Sequence, residues 1–350
     1  MRWKNRPPGS NWGDFGNNDQ LGRVNLIAQQ QILKGAAEIR AGRSFCLSLP
    51  LDLPGGSLLN PRRRPPRLEP TYRDGGKPML NFPLSKIDAD SVDVISDDQV
   101  LISLQYSTQW DSLAHVGARF DADGDGHAEM VYYNGYAAGQ DVLGPVNYIE
   151  DDQEEACGCD GGHLSFAKTL GIEHMARHGM QGRGVLVDLW RRFGSTRQLI
   201  GYDELSTILR EDDIVVEPGD MLVLRTGFAE LVVGMQGMPD PQVLHHACSV
   251  LNGRDERLLN WITESGISAL CADNYAVEAY PAVDAIGKKS LLPLHHHCLF
   301  KLGLPLGELW YLPELADWLA ANKRHHFMLT APPLRLPGAV GSPVTPIATV

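Results

Sequence analysis

One stretch of the chain concentrates side chains that could do chemistry. It runs Gln105-Tyr106-Ser107-Thr108-Gln109-Trp110-Asp111-Ser112-Leu113-Ala114-His115. In an extended segment, side chains at even offsets share one face, so Gln105, Gln109, Asp111 and His115 could point into a single cavity. The alternative is a polar strand face that carries one hydrogen-bonded histidine, and this stretch by itself does not separate the two interpretations.

A second group of candidate residues lies near the carboxyl end of the chain. His295, His296 and His297 open an apolar segment, and Glu308 follows His296 by twelve residues. Three adjacent histidines on a helix cannot all face the core, so one or two could lie at the helix terminus or on the surface. A lone buried histidine is more often structural than metal-binding. Three in succession therefore require a specific explanation.

An acidic stretch resembles half of a calcium-binding loop. The run Asp121-Ala122-Asp123-Gly124-Asp125-Gly126 has alternating carboxylates and a turn-forming glycine. The place of the bidentate glutamate is taken by Tyr132, and Glu129 occupies only the ninth position. A solvated Asp-Gly turn is therefore favoured, with calcium at Asp121, Asp123 and Asp125 as the alternative.

A third candidate metal site combines two cysteines with neighbouring polar residues. Cys157-Gly158-Cys159, with Asp160 and His163, offers ligands that zinc prefers. A one-residue gap between cysteines suits a tetrahedral site poorly, and no second cysteine pair is present. A flexible acidic loop is the favoured interpretation.

The elements that must position these residues follow from hydrophobic periodicity. Helices are predicted over 26–39, 166–177, 203–210 and 254–265, and strands over 44–53, 100–105, 184–190, 221–227 and 268–274. The strand-helix alternation of the second half predicts an α/β core. Because the strands are spread along the chain, we expect one structural domain of residues 81–350, with an amino-terminal segment of residues 1–80 packed on it.

Residues 54–78, which we name the arm, contain six prolines and four glycines around Arg62-Arg63-Arg64-Pro65-Pro66-Arg67. This composition predicts an extended segment without regular secondary structure. A solvated or subunit-crossing arm is favoured over a nucleic-acid-binding tail, because the rest of the protein is acidic.

Composition excludes several classes of protein. The 350 residues include 31 Lys+Arg and 43 Asp+Glu, a net charge of −12, which repels nucleic acid and anionic membranes. No membrane-spanning apolar run or secretory signal is present, so a cytoplasmic location is expected, and six scattered cysteines argue against a disulfide framework. Motifs of serine hydrolases, dinucleotide-binding proteins, P-loop enzymes and His-Glu-x-x-His proteases are missing. A small-molecule substrate is the expected partner.

The two polar groups together resemble the cyclase-like metal-dependent hydrolases, which include bacterial kynurenine formamidase and isatin hydrolase. That family carries the pattern His-x-Gly-Thr-His-x-Asp-x-Pro-x-His, which residues 105–115 match in register, and a distal His followed twelve residues later by Glu, which His296 and Glu308 match. Further similarities lie at 182–188, 218–227 and Asp273-Asn274. The resemblance covers most of residues 12–315.

The resemblance implies a swivelling β/β/α fold, in which a mixed sheet curls toward a barrel and is flanked by helices. It also implies metal ligands at Asp111, His296 and Glu308, with Gln109 near enough to complete the site, and a catalytic role for His115. Both proximal histidines of the family are glutamine here, and the proline is Leu113. An amide oxygen is a weaker zinc ligand than imidazole, so one divalent ion is expected instead of two, with manganese or zinc favoured and magnesium an alternative.

The activity implied by the resemblance is hydrolysis of a carbon-nitrogen bond in an amide, formamide or lactam, with His115 as the general base. Gln105, Trp110 and Tyr106 are candidates for contacting the substrate, and core packing is the alternative for the two aromatic residues. Two other functions stay open: a lyase or dehydratase that uses the same site, and a non-catalytic binding protein that has lost its metal. A homo-oligomer, dimer or tetramer, is expected.

Overall fold

A nine-stranded mixed sheet forms the centre of the computed structural model, which describes residues 2–148, 154–156 and 165–350. In chain order its strands are β1 Ser44–Cys46, β2 Gln109–Asp111, β3 Gln181–Asp188, β4 Met221–Arg225, β5 Ala269–Ala272, β6 Leu306–Glu308, β7 His326–Thr330, β8 Gly341–Pro343 and β9 Ile347–Thr349.

The spatial order of the strands is β1-β9-β7-β3-β4-β5-β6-β2-β8. Strands β3, β4, β5 and β6 are parallel to one another, whereas all other strand pairs of this sheet are antiparallel. The first strand and the last strand of the chain are therefore neighbours, and the sheet includes β1 from the amino-terminal segment. This curled mixed sheet, flanked by helices, confirms the predicted fold class.

Strands β4 and β5 are apolar at every position except Arg225, because both faces of the sheet are covered. Alternate residues of β3 and β4 enter different cores: Val185, Val187, Leu222 and Leu224 pack on one face, whereas Leu186, Met221 and Val223 pack on the other. This period of two is the signature of a strand that is buried on both sides.

Helices cover the sheet and connect its parallel strands. They are α1 Gln29–Ala37, α2 Glu173–His178, α3 Leu189–Phe193, α4 Tyr202–Glu211, α5 Phe228–Gly234, α6 Pro241–Leu244, α7 Glu256–Ser265, α8 Pro293–His295 and α9 Pro313–Ala321. Helix α8 continues directly into a π-helical turn, His296–Lys301. None of the helices in the described part of the chain is long and apolar enough for a membrane span.

Local sequence signals explain where helix α7 begins and ends. The Asp255 carboxylate accepts hydrogen bonds from the backbone N–H groups of Arg257 and Leu258, which have no partner inside the helix. Leu258 and Ile262, one turn apart, face the core. Gly266 ends the helix with φ of 69°, a left-handed conformation that glycine adopts without strain.

Several two-stranded sheets lie outside the nine-stranded sheet. The antiparallel pairs are Arg67–Pro70 with Asp98–Leu101, Tyr72–Arg73 with Lys77–Pro78, Phe82–Pro83 with Val94–Ile95, Ala118–Phe120 with Glu129–Val131, Val142–Leu143 with Phe166–Ala167, and Val146–Tyr148 with Glu154–Ala156. One parallel pair joins Gln198–Ile200 to Ser249–Leu251.

Four predicted elements differ from the structure. The strand predicted over 44–53 ends at Cys46, before Pro50, and the strand predicted over 100–105 is instead Asp98–Leu101. The helix predicted over 166–177 reduces to α2, because Leu170 has φ of 62° and Gly171 follows it. The arm, predicted to lack regular structure, contains the three short strands of its carboxyl half, since proline is tolerated at strand edges.

Candidate functional site

Two adjacent strands of the sheet supply the acidic residues of the site. In the antiparallel register of β2 and β6, Gln109 lies opposite Glu308 and Asp111 lies opposite Leu306. Directly opposed residues share a face, and so do residues two apart on one strand. The side chains of Gln109, Asp111 and Glu308 therefore emerge on the same side of the sheet, as the even-offset argument predicts for the first two.

Trp110 lies between these residues in sequence and points to the other side of the sheet. It is fully buried, its indole N–H donates to the Ala331 carbonyl at 2.8 Å, and its ring meets Trp310 edge to face at 5.2 Å between centroids. The candidate substrate-contacting role of Trp110 is therefore wrong. Strand alternation excludes it from the face that carries Asp111, and it is a core residue.

The histidine that joins the carboxylates is His295, not His296. The Nε2 atom of His295 lies 3.3 Å from Glu308 Oε1 and 4.0 Å from Asp111 Oδ2. The His296 ring instead packs on Phe300, with centroids 5.0 Å apart, and burial lowers its pKa to about 4. The predicted ligand, His296, is thus one residue away from the histidine that faces the carboxylates. The spacing from the facing histidine to Glu308 is thirteen residues, because helix α8 turns His295 inward.

Glu278, which the sequence analysis did not identify, determines which histidine of helix α8 faces the site. Its carboxylate accepts the backbone N–H groups of Leu294 at 2.9 Å and His295 at 3.0 Å, the unpaired amides of the first helical turn. It also lies 2.8 Å from His295 Nδ1. The Nδ1–H group therefore points at Glu278 and directs Nε2 toward the site, the arrangement by which carboxylates orient metal-binding histidines. No local motif marks Glu278.

Burial and pairing shift the ionisation of all three members of the cluster. Burial opposes the charged form of His295, but hydrogen bonds to Glu278 and Glu308 raise its pKa to about 10. Burial also opposes ionisation of Glu308, yet the bond to His295 holds its pKa below the usual value. The pKa of Asp111 is raised, mainly by burial, with His115 acting in the opposite direction. The cluster concentrates negative charge in a desolvated place.

The donor set and its hydrogen bonding fit a divalent metal ion. Asp111, His295 and Glu308 each offer a ligand atom, and these atoms lie within 4.8 Å of one another. Asp111 Oδ2 and Gln109 Oε1 are buried without a hydrogen-bond partner, a costly state for polar atoms that coordination would relieve. Two carboxylates and one imidazole balance a single divalent charge and suit manganese, zinc or magnesium.

His115 stands beside this cluster and reaches it through a turn. Its Nε2 atom lies 3.8 Å from Asp111 Oδ1, and its Nδ1 atom lies 3.4 Å from Gln105 Nε2. Its backbone N–H donates to the Ser112 carbonyl, so the chain reverses after β2 and does not continue as the predicted extended segment. The structure nevertheless brings Gln105 and His115 together, with the imidazole about one quarter exposed.

A cavity of about 520 Å³ opens above the cluster, large enough for a small organic molecule. One wall consists of the amino-terminal half of the arm, so that half of the arm covers the site. Tyr106 holds it there, because its hydroxyl accepts the Gly55 N–H and donates to the Gly56 carbonyl. The lining includes Pro54, Leu59, Asn60, Arg62, Arg63, Tyr106, His115, Val116, His245, Tyr275, Tyr280, His295 and Glu308.

The wall also contains a hydrogen-bonded pair that sequence reasoning missed. His245 Nδ1 and the Tyr275 hydroxyl are 2.6 Å apart, and the two rings meet edge to face. Burial lowers the pKa of His245 and raises that of Tyr275, so both groups favour their neutral forms. The pair provides polar atoms in a lining that is otherwise apolar on that side.

The backbone beside the site departs from relaxed conformations. Ala276, Val277 and Leu309 have φ values of 66°, 56° and 56°. Left-handed backbone costs non-glycine residues on the order of 1 to 3 kcal/mol each, most for a β-branched residue such as Val277. Two of these residues connect Tyr275 to Glu278 and the third follows Glu308, so the packing around the site must hold this strained backbone in place.

The acidic loop does not belong to the described lining of the cavity. Asp121, Asp123, Asp125 and Glu129 approach one another in an exposed turn. Their oxygens accept backbone N–H groups of the same loop, as an Asp-Gly turn requires. The predicted Cys157, Cys159, Asp160 and His163 group lies outside the described residues.

Comparison with known proteins identifies relatives in both sequence and fold. The model of a protein family described as "Putative cyclase" matches residues 47–279. A solved structure of a novel cyclase is 30% identical, covers 99% of this chain and 100% of its own, and superposes with a TM-score of 0.72. No functionally curated protein matches the chain in sequence.

Two isatin hydrolases share the fold at lower identity. Isatin hydrolase A from Labrenzia aggregata is 13% identical with a TM-score of 0.55, covering 92% of this chain and 98% of its own. The enzyme from Ralstonia solanacearum is 14% identical with a TM-score of 0.52, covering 87% and 91%. The family match over two thirds of the sequence, together with the full-length cyclase relative, leads to one conclusion: this chain belongs to the cyclase family.

Proposed function

We propose that this protein is a metal-dependent hydrolase that cleaves a carbon-nitrogen bond in an amide, formamide or lactam. The observation that carries the proposal is the buried cluster of Asp111, His295 and Glu308 at the base of a cavity, with His115 at its edge. The isatin hydrolases that share the fold act, by their names, on a lactam, which makes this bond class the first to test.

Asp111, His295 and Glu308 would hold one divalent ion. The Gln109 amide oxygen would complete the site after a half-turn of the amide, because the amide nitrogen faces the two carboxylates in this structure. A bound divalent ion lowers the pKa of water and polarises a carbonyl. Metal binding requires that His295 lose the proton on Nε2; Glu278 would keep the other hydrogen on Nδ1, so that the Nε2 lone pair faces the cluster.

His115 would accept the proton of the attacking water at Nε2 and deliver it to the leaving nitrogen. Water oxygen then forms a bond to the carbonyl carbon, and the carbon-nitrogen bond breaks. For Nε2 to accept a proton, Nδ1 must carry the other hydrogen and needs an acceptor. Gln105 supplies one when its amide presents Oε1, the orientation that a half-turn of the amide produces. We assign Gln105 a positioning role.

A second function, binding without catalysis, is favoured by one observation. The Gln109 amide nitrogen lies 3.3 Å from both Asp111 Oδ1 and Glu308 Oε2, so it donates to the two carboxylates that would otherwise share a cation. With a protonated His295, these hydrogen bonds offset part of the negative charge of the two carboxylates without a metal. A protein that keeps this state permanently would bind small molecules in the same cavity and lack hydrolytic activity.

The test is metal analysis followed by assays in isotopically labelled water. The full chain is purified, loaded separately with manganese, zinc and magnesium, and analysed for metal. It is then offered formamides, lactams and small amides in oxygen-18 water. We expect about one ion per chain and one labelled oxygen in each product acid.

Other results would contradict the proposal in different ways. A protein that takes up no metal supports the binding function. Turnover without incorporation of the label supports the lyase or dehydratase alternative, because elimination transfers no water oxygen to a carbonyl carbon.

A further inference from the structure

The cavity differs in charge from the rest of the protein. The chain carries a net charge of −12, yet among the described residues that line the cavity there are two arginines, Arg62 and Arg63, and one carboxylate, Glu308. Glu308 belongs to the metal cluster. Once a divalent ion balances Asp111 and Glu308, the two guanidinium groups remain as uncompensated charges at the cavity wall.

Arg63 is the better defined of the two arginines. It is half-buried, and one nitrogen donates to the Gln105 carbonyl at 2.7 Å. A guanidinium group has five N–H donors in a planar fork, so most of its donors have no partner among the described residues. It lines the same cavity as His295 and Glu308, which places it on the wall of the site.

Arg62 extends this cationic surface toward the mouth of the cavity. It is exposed, and its guanidinium forms no ion pair or hydrogen bond with any residue in the described ranges. Its backbone N–H donates to the Asn60 side chain, which also lines the cavity and stabilises the turn of the arm. Tyr106 anchors the preceding glycines, so the arm presents both arginines from a fixed base.

We infer that the cavity selects substrates that carry a carboxylate, bound by Arg63 and Arg62 while the carbonyl to be cleaved lies over Asp111, His295 and Glu308. Planar guanidinium groups bind carboxylates through paired, charge-assisted hydrogen bonds. The inference rests on the proposed function, and it names the class of substrate: an anionic amide or formamide. The arm is then the part of the molecule that determines specificity.

The first test compares formanilide with its ortho, meta and para carboxylates. These compounds share one scissile bond and differ in the position of the charge. We expect kcat/KM for the best carboxylate to exceed that for formanilide by about 10- to 100-fold, mainly through KM. The Arg62→Ala/Arg63→Ala variant should lose this preference. Equal preference in the variant and the wild type would overturn the inference.

Arg64→Ala is the matched control, because Arg64 is the next residue of the arm and does not line the cavity. It should keep the wild-type preference. Arg62→Lys/Arg63→Lys keeps the charge but not the fork, and should recover only part of the preference. Circular dichroism and thermal unfolding establish that each variant folds.

The second test measures binding without turnover, so its result is informative even if the protein is not a hydrolase. Binding of benzoate to the metal-loaded chain is measured by titration calorimetry. The dissociation constant of Arg62→Ala/Arg63→Ala should be about 10- to 100-fold larger than that of Arg64→Ala. Benzoate binding of equal strength in both variants, or no binding to the wild type, would overturn the inference. If no amide is hydrolysed but the double alanine variant still binds benzoate more weakly than Arg64→Ala does, the hydrolase proposal is wrong and the carboxylate-binding site is supported.

Discussion

Among the residues that the structure describes, two groups of carboxylates bring potential metal ligands within 4.8 Å of one another, and the groups differ in burial and in hydrogen bonding. Asp111 and Glu308 are buried beside His295, whereas Asp121, Asp123 and Asp125 occupy a solvent-exposed loop. Proximity of ligand atoms therefore does not distinguish a metal site from a turn.

The hydrogen bonds of the two groups do distinguish them. Asp121 Oδ1 accepts the N–H groups of Gly124 and Asp125, and Asp125 Oδ1 accepts that of His127, so backbone donors already use these oxygens. In the buried group Asp111 Oδ2 has no hydrogen-bond partner among the described residues, and His295 Nε2 lies 4.0 Å away. A carboxylate oxygen that is desolvated and unpartnered gains far more from a cation than one that closes a turn in water.

The largest effect should follow removal of a buried carboxylate. Asp111→Asn and Glu308→Gln each remove one of the two charges that balance a divalent ion, so metal content should fall from about one equivalent to near zero. Activity should fall on the order of 1,000-fold or more, the consequence of losing several kcal/mol of transition-state stabilisation. Elemental analysis of the purified variants checks the first result. Retention of a full equivalent in both variants would contradict the assignment of the site.

His115→Asn should separate catalysis from metal binding. Loss of a general base costs on the order of 100- to 10,000-fold in rate, while the ligands of the ion stay in place. We therefore expect wild-type metal content and a large fall in kcat on any verified substrate. Loss of the metal together with activity would make His115 a ligand instead.

Glu278→Gln tests the residue that orients His295. The amide keeps one acceptor oxygen for the first turn of α8 but weakens the bond to His295 Nδ1, so metal affinity should fall about 10- to 100-fold. Competition with a chromogenic chelator measures the affinity. His296→Asn is the control, because His296 faces Phe300, and it should leave the affinity unchanged. A larger loss of metal affinity in His296→Asn than in Glu278→Gln would indicate that His296 is the ligand.

Restoring the family's histidines should enlarge the site. Gln105 lies against His115, and Gln109 lies between the two carboxylates, so Gln105→His with Gln109→His would place two additional imidazoles beside Asp111. We expect the zinc content to rise from about one to two equivalents per chain. A folded double variant with no additional zinc would show that the two glutamines are not the reason why a second metal ion is not bound.

The smallest effect should come from the exposed loop. Asp123→Asn with Asp125→Asn removes two charges and keeps an oxygen acceptor at each position of the turn. Metal content, activity and calcium titration should match those of the wild type. Calcium binding in the wild type that disappears in this variant would mean that the loop is a cation site after all.

Several features of the site could be predicted from sequence because they depend on local geometry. The common face of Gln109 and Asp111 follows from the two-residue period of a strand. The same rule places Trp110 on the opposite face, so its exclusion from the cavity was available from the alternation. The apolar, doubly buried strands β3, β4 and β5 likewise show in the sequence, since every residue of a central parallel strand packs on one core or the other.

Other features depended on how distant segments meet. Three consecutive histidines are spaced about 100° apart on a helix, and which of them faces Asp111 is set by Glu278 capping the first turn of α8. The contact of Gln105 with His115 needs a reversal after β2 that an extended interpretation does not contain. The arm's position over the cavity depends on the Tyr106 hydroxyl and two glycines some fifty residues away in the chain.

The residue types, their order along the chain and the strand alternation were thus determined by the sequence itself, because each depends on neighbours a few positions away. Only tertiary structure decided that His295 and not His296 faces the carboxylates, that Glu278 orients it, and that Arg62 and Arg63 line the cavity. These depend on the angle at which a helix or loop docks, and a rotation of one residue exchanges the group that faces the cavity for the one that faces the core.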